Sequence, residues 1–94
     1  MAKRTRPEDA AWSDYAGQLA ANLRRLRAEA GLSQEDVAYR SGLTRYTYQK
    51  YEKGESKPGT PSNPTIRTLL AMSQALGVSL MDILPAKIPD LRLR

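Results

Sequence analysis

An all-α domain of five helices is the fold class this sequence predicts, and three observations predict it. Apolar residues recur at steps of three and four in successive segments. Each segment is bracketed by a capping hydroxyl or acid and by a glycine or proline that ends it. At 94 residues, lean in Leu, Ile and Val and without Phe, the chain holds one small core and one domain.

The first dozen residues are polar and broken by Pro7, with Lys3, Arg4 and Arg6 followed by Glu8 and Asp9, and read as a flexible basic arm. Trp12 reads as an apolar cover beside the helix that follows. In that helix Ala16, Leu19, Ala20, Leu23, Leu26 and Ala30 make the apolar face, while Asn22, Arg24, Arg25 and Glu29 fill the other. Ser13 or Asp14 caps its start, and Gly31 supplies the residue that accepts positive φ past its end. The Arg24-Arg25-Arg27 run reads as a solvated face.

Ser33-Gln34-Glu35-Asp36 places a hydroxyl at a second cap and acids in the first turn, where they complement the helix dipole rather than serve catalysis. This helix reaches about Arg40 and stops at Ser41-Gly42; Thr44 caps a third helix running from Arg45 to Gly54. Two short helices meeting across a turn of three to four residues that contains Gly form a helix-turn-helix geometry. Ala38 is small where the helices cross, and Val37, Leu43, Tyr48 and Tyr51 point back into the domain. Residues 54–64 hold three prolines and two glycines and read as a long loop without strands, either adding nucleic-acid backbone contacts through Lys57 or a disordered insertion, and ordered only on a nucleic acid. Thr65 opens a fourth helix with Ile66, Leu69, Leu70, Met72 and Leu76 on its apolar face, closed by Gly77. Ser79 and Asp82 start a short fifth helix with Leu80, Ile83 and Leu84, stopped by Pro85. The chain thus divides into an arm at 1–12, a helix-turn-helix domain at 13–85 and a tail at 86–94.

Composition narrows the function. With no Cys and no His, zinc sites of those ligands, thiol and Ser-His nucleophiles, redox motifs and disulfides are all excluded. No metal, no cofactor and no enzymatic activity are expected. No apolar run approaches the roughly 20 residues of a membrane span, and the N-terminus lacks a secretory signal, so the expected location is the cytoplasm. Lys and Arg total 15 against 10 acids, for a net charge of +5. Much of the excess falls on Arg40, Arg45, Lys50, Lys53, Lys57 and Arg67, opposed there by Glu52 and Glu55 alone. The third helix also sets Arg45, Tyr46, Gln49 and Lys50 on one exposed side at spacing four. Such groups hydrogen-bond base edges and phosphates, Arg suiting guanine and Gln suiting adenine. Tyr39, on the exposed side of the second helix, is divided between phosphate contact and partial burial.

GLSQEDVAYRSGLTRYTYQKYEKG followed by NPTIRTLLAMSQALGVSLMDIL resembles the Xre family of phage Cro/repressor-like helix-turn-helix proteins over roughly residues 17 to 84. The resemblance implies a five-helix lambda-repressor-like domain that binds operator DNA, commonly as a homodimer on inverted repeats. It makes Gln34 a phosphate contact, Arg45, Tyr46, Gln49 and Lys50 base readers, and Thr44, Thr47 and Lys53 backbone contacts. It places a dimer contact at Leu80, Met81, Ile83 and Leu84. Tyr48 departs from the family, which has an aliphatic residue there, as does Ser41, where a small or apolar core residue is usual. The expected activity is a sequence-specific transcriptional regulator, most simply a repressor. The alternative is an antitoxin that binds its own promoter and neutralises a small protein partner.

Overall fold

The computed structural model describes residues 7–92, and the Lys3, Arg4 and Arg6 part of the expected arm lies outside them. Five helices follow in order: α1 (Pro7–Ala30), α2 (Gln34–Arg40), α3 (Arg45–Lys53), α4 (Ile66–Leu76) and α5 (Leu80–Ile83). Between α3 and α4 the chain forms a small antiparallel hairpin of β1 (Glu55–Lys57) and β2 (Thr60–Pro61).

The helix starts and stops obey local chemistry. Ser33 accepts the Asp36 N–H while the Asp36 carboxylate takes the Ser33 N–H, a reciprocal capping box at 3.0 and 2.9 Å. The Ser33 N–H and then its hydroxyl hold the Asp36 carboxyl below the usual carboxylate range. Thr44 and Thr65 cap α3 and α4 by accepting from Thr47 and Thr68. Gly54 and Gly77 end those helices with φ of +81° and +72°.

Two expectations are corrected. Helix α1 begins six residues before Ser13, because Pro7 fits the first helical position, where its missing N–H is no loss and its fixed φ is already helical. Trp12 thereby joins the helix and stacks on Tyr15 with ring centroids 5.8 Å apart. The loop expected to lack strands and to order only on a nucleic acid is instead a formed hairpin, turned through Gly59 at φ +80° and tied by the Gly59 N–H to the Glu55 carboxylate at 3.1 Å.

The core gathers Leu19, Leu23 and Leu26 of α1, Val37 and Ala38 of α2, Tyr48 of α3, Leu69, Met72 and Leu76 of α4, and Ile83 of α5. Helix α1 is the strut, packing against α3, α4, α5 and β2. It is also fastened to the end of α5: Tyr15 donates to the Pro85 carbonyl and Asn22 to that of Ile83. Of the apolar positions expected on one face of α4, Leu69, Met72 and Leu76 are buried, whereas Ile66 and Leu70 lie on the surface.

Candidate nucleic-acid interface

The turn between α2 and α3 is built as its residue types require. The Leu43 N–H donates to the Ala38 carbonyl at 2.8 Å, and Gly42 takes φ +71°, where a Cβ is disfavoured. Ala38 is buried where the two helices press together, so both backbones approach closely. Helix α3 buries Tyr48 completely and turns its opposite side outward.

On that outward side Arg45 is exposed and Tyr46 is 69 % exposed. The Lys50 ammonium lies 4.4 Å from the Tyr46 ring centroid, an attraction of cation for aromatic face that orients both side chains. Gln49 is half-buried, and its amide donates to the Gln34 carbonyl oxygen at 3.1 Å, joining the middle of α3 to the start of α2. Thr44 and Thr47 are bound to each other through their hydroxyls at 3.0 Å at the α3 cap. Lys53 is exposed at the far end of α3. The structure therefore gathers Tyr46, Gln49, Lys50 and Lys53 along one side of α3 with Gln34 joined to Gln49, while Thr44 and Thr47 pair at the cap and Arg45 stands exposed in the first turn. Tyr39 is 86 % exposed on α2, away from partial burial.

Behind this surface lies a constellation that sequence reasoning missed. Glu52, only 4 % exposed, accepts from Arg27 Nε at 2.5 Å and Nη2 at 3.1 Å, from the Tyr48 hydroxyl at 2.5 Å and from Gln34 Nε2 at 3.0 Å. The Arg24 guanidinium donates to the Glu52 main-chain carbonyl, and Arg27 Nη1 donates to that of Leu32. Burial alone would raise the Glu52 carboxyl; the donors from Arg27, Tyr48 and Gln34 outweigh it and hold the group below the usual carboxylate range. Burial, then the Glu52 hydrogen bond and charge, push the Tyr48 phenol well upward. The Arg24-Arg25-Arg27 run is thus not a uniform solvated face. Arg27 is half-buried, Arg24 is exposed but tied to the Glu52 main chain, and Arg25 forms an exposed pair with Glu29 at 3.3 Å. A carboxylate at Glu52 and a guanidinium on α1 are visible in the sequence, but their meeting is a tertiary event.

The expected dimer residues divide. Ile83 is wholly buried in its own core and is corrected from contact to core; Leu80 and Leu84 are half-buried against that core; Met81 alone stands out, 77 % exposed. Among the described residues no His/Cys/Asp/Glu group of metal-binding size occurs, and no helix is long and apolar enough to cross a membrane.

Two short helices locked across a glycine turn, the second presenting Arg, Tyr, Gln and Lys outward, define a DNA-binding helix-turn-helix protein. The model of the helix-turn-helix domain matches residues 18–83, and the chain belongs to that family, among the Xre, Cro/repressor-like regulators. It is 42 % identical over 62 residues to an uncharacterized HTH-type transcriptional regulator, y4dJ, of Sinorhizobium fredii, covering 66 % of this chain and 73 % of the relative. The fold is similar to the restriction-modification controller protein C.AhdI of Aeromonas hydrophila, with a TM-score of 0.64 at 29 % identity over 72 % of this chain and 94 % of the other. It is also similar to the hypothetical transcription factor NHTF of Neisseria, with a TM-score of 0.65 at 30 % identity over 80 % and 79 % of the two chains.

Proposed function

We propose that the protein is a sequence-specific transcriptional repressor that inserts α3 into the major groove of an inverted-repeat operator as a homodimer. One observation carries this reading: the Arg45, Tyr46, Gln49 and Lys50 side of α3 faces outward, braced from behind by Glu52. Arg45, Tyr46, Gln49 and Lys50 read base edges, while Gln34, Thr44, Thr47 and Lys53 hold the flanking backbone. Specificity comes without chemistry. Positive charge draws the protein to any duplex, and the α3 side chains select among sequences.

One domain of this size makes too few contacts for tight specific binding, so two copies related by a two-fold axis read half-sites about 34 Å apart. Met81, with the outer edges of Leu80 and Leu84, supplies the contact between copies. Selection of bound fragments from random DNA tests both parts and is expected to return an inverted repeat with that spacing. Failure to enrich any sequence, together with binding that does not weaken as salt rises, would overturn the reading. Arg45→Ala is expected to lower affinity for the selected site by about 1–3 kcal/mol and to relax preference at one base pair. Unchanged preference at every position would remove Arg45 from the reading face.

The tail leaves Ile88 and Leu91 exposed, which is the apolar surface a promoter-binding antitoxin offers a small protein partner. Co-purification of a second small protein in stoichiometric amount would favour that reading.

A further inference from the structure

A notch of about 170 Å³ separates the flank of α3 from the β1–β2 hairpin. One wall is Tyr46, Gln49, Lys50 and Lys53, spaced to lie along a single side of the helix; the other is the hairpin with Lys57. Three ammonium-bearing side chains therefore converge where one carboxylate, Glu55, also reaches. That carboxylate is engaged by the Gly59 N–H across the turn, and the nearby Glu52 is turned inward to Arg27. Glu52 is spent on the fold, and the notch carries three ammonium groups against the single carboxylate of Glu55, a net positive charge.

The hairpin holds a fixed position. Ser62 donates to the Gly54 carbonyl at 2.9 Å, β2 packs on α1, and Gly54 sits against α1 closely enough that an added Cβ would meet Ala16 O and Gly17 Cα at 3.4 Å. Tyr46, Gln49 and Lys50 belong at once to the reading side of α3 and to the notch wall. A helix lying in the major groove has the sugar-phosphate backbone running along its flanks, so the group meeting this notch is a phosphodiester at the groove edge.

We infer that the hairpin acts as a wing: Lys57, with Lys53, grips a DNA backbone phosphate in the notch beside α3. The grip supplies affinity without sequence preference. This inference rests on the operator-binding reading above, and the test separates the two.

The test measures binding to the selected operator and to unrelated duplexes from 50 to 200 mM salt, for the wild type, Lys57→Gln and Lys57→Glu. Lys87→Gln, a charge removed from the tail outside the notch, is the control, and thermal melts check folding. Lys57→Gln is expected to reduce the steepness of log K against log salt by about 0.9 for each copy bound, with the ranking of sequences unchanged. Lys57→Glu should weaken every duplex further. Salt dependence identical to wild type, an equal drop in Lys87→Gln, or an altered base preference would each overturn the wing while leaving operator binding intact. A wild type whose binding ignores salt would overturn both. Inorganic phosphate titrated at matched ionic strength should leave the Lys57 and Gly59 amide resonances in place; a saturable shift would assign the notch to a free anion instead.

Discussion

Glu52→Gln is the most informative single change, because it keeps the volume of the side chain and removes only its charge. The native carboxylate receives four donor contacts at 2.5–3.1 Å, two from Arg27 and one each from Tyr48 and Gln34. In the variant an amide N–H replaces one oxygen and faces those donors, and the Arg27 guanidinium, about a quarter exposed, loses its counter-ion. Breaking a buried pair by removing one partner costs about 3–5 kcal/mol, and the partial exposure of Arg27 favours the lower end. For a domain of this size about 3 kcal/mol corresponds to a fall of roughly 12–24 °C in Tm. The pH dependence gives an independent reading. Because the folded carboxyl titrates below its unfolded value, the unfolded chain takes up more protons in that interval, and stability present above about pH 4.5 is lost as pH falls. Wild-type Tm should therefore drop through the acid range by more than that of Glu52→Gln. Circular dichroism melts from pH 7 to pH 3 make the measurement. A variant melting within about 3 °C of wild type at pH 7, or an equal acid slope, would refute the assignment of Glu52 as the ionised centre of the fold.

Three further predictions concern backbone, core and assembly. Gly54→Ala forces a Cβ at φ +81° and brings it to 3.4 Å from the backbone of α1, so a loss of about 1–2 kcal/mol is expected in a denaturant titration; no loss would mean the cap relaxes freely. The Ser41 hydroxyl is buried without a hydrogen-bond partner, and Ser41→Ala should leave Tm unchanged or raise it by a few degrees, whereas a clear drop would show that the hydroxyl is satisfied in solution. On the proposed pairing, the wild type should sediment as a dimer and Met81→Glu as a monomer of unchanged helicity in analytical ultracentrifugation, and a dimer that persists in the variant would take Met81 out of the contact.

The helices were legible in the sequence wherever their ends are decided by neighbours along the chain. Ser33 with Asp36, Thr44 with Thr47 and Thr65 with Thr68 act within one turn, and Gly54 and Gly77 act alone. The outward set on α3 was legible for the same reason, since spacing of three and four determines a side. The early start of α1 had a signal in Pro7 that the polar character of the first dozen residues obscured. The hairpin had none of strand type: two and three residues are too few to show a period, and its order comes from Gly59, Glu55 and the seat of Gly54 on α1. Glu52 reads in the sequence as a counter-charge to the basic stretch and not as an anchor, because its chief partner, Arg27, lies 25 positions earlier on another helix. Ile83 was placed at the contact between copies by family resemblance, while its full burial depends on how α5 lands on α1 and α4.

The hydrogen bond from Gln49 to Gln34 sorts the proposed base-reading positions by how freely each could be altered to suit a new target. Arg45 and Tyr46 project into solvent, so exchanging them would change recognition and leave the scaffold standing. Replacing Gln49 would release Gln34, and with it one of the donors that keep Glu52 charged in the interior. Retargeting such a protein is therefore cheap at one end of α3 and coupled to folding at its middle.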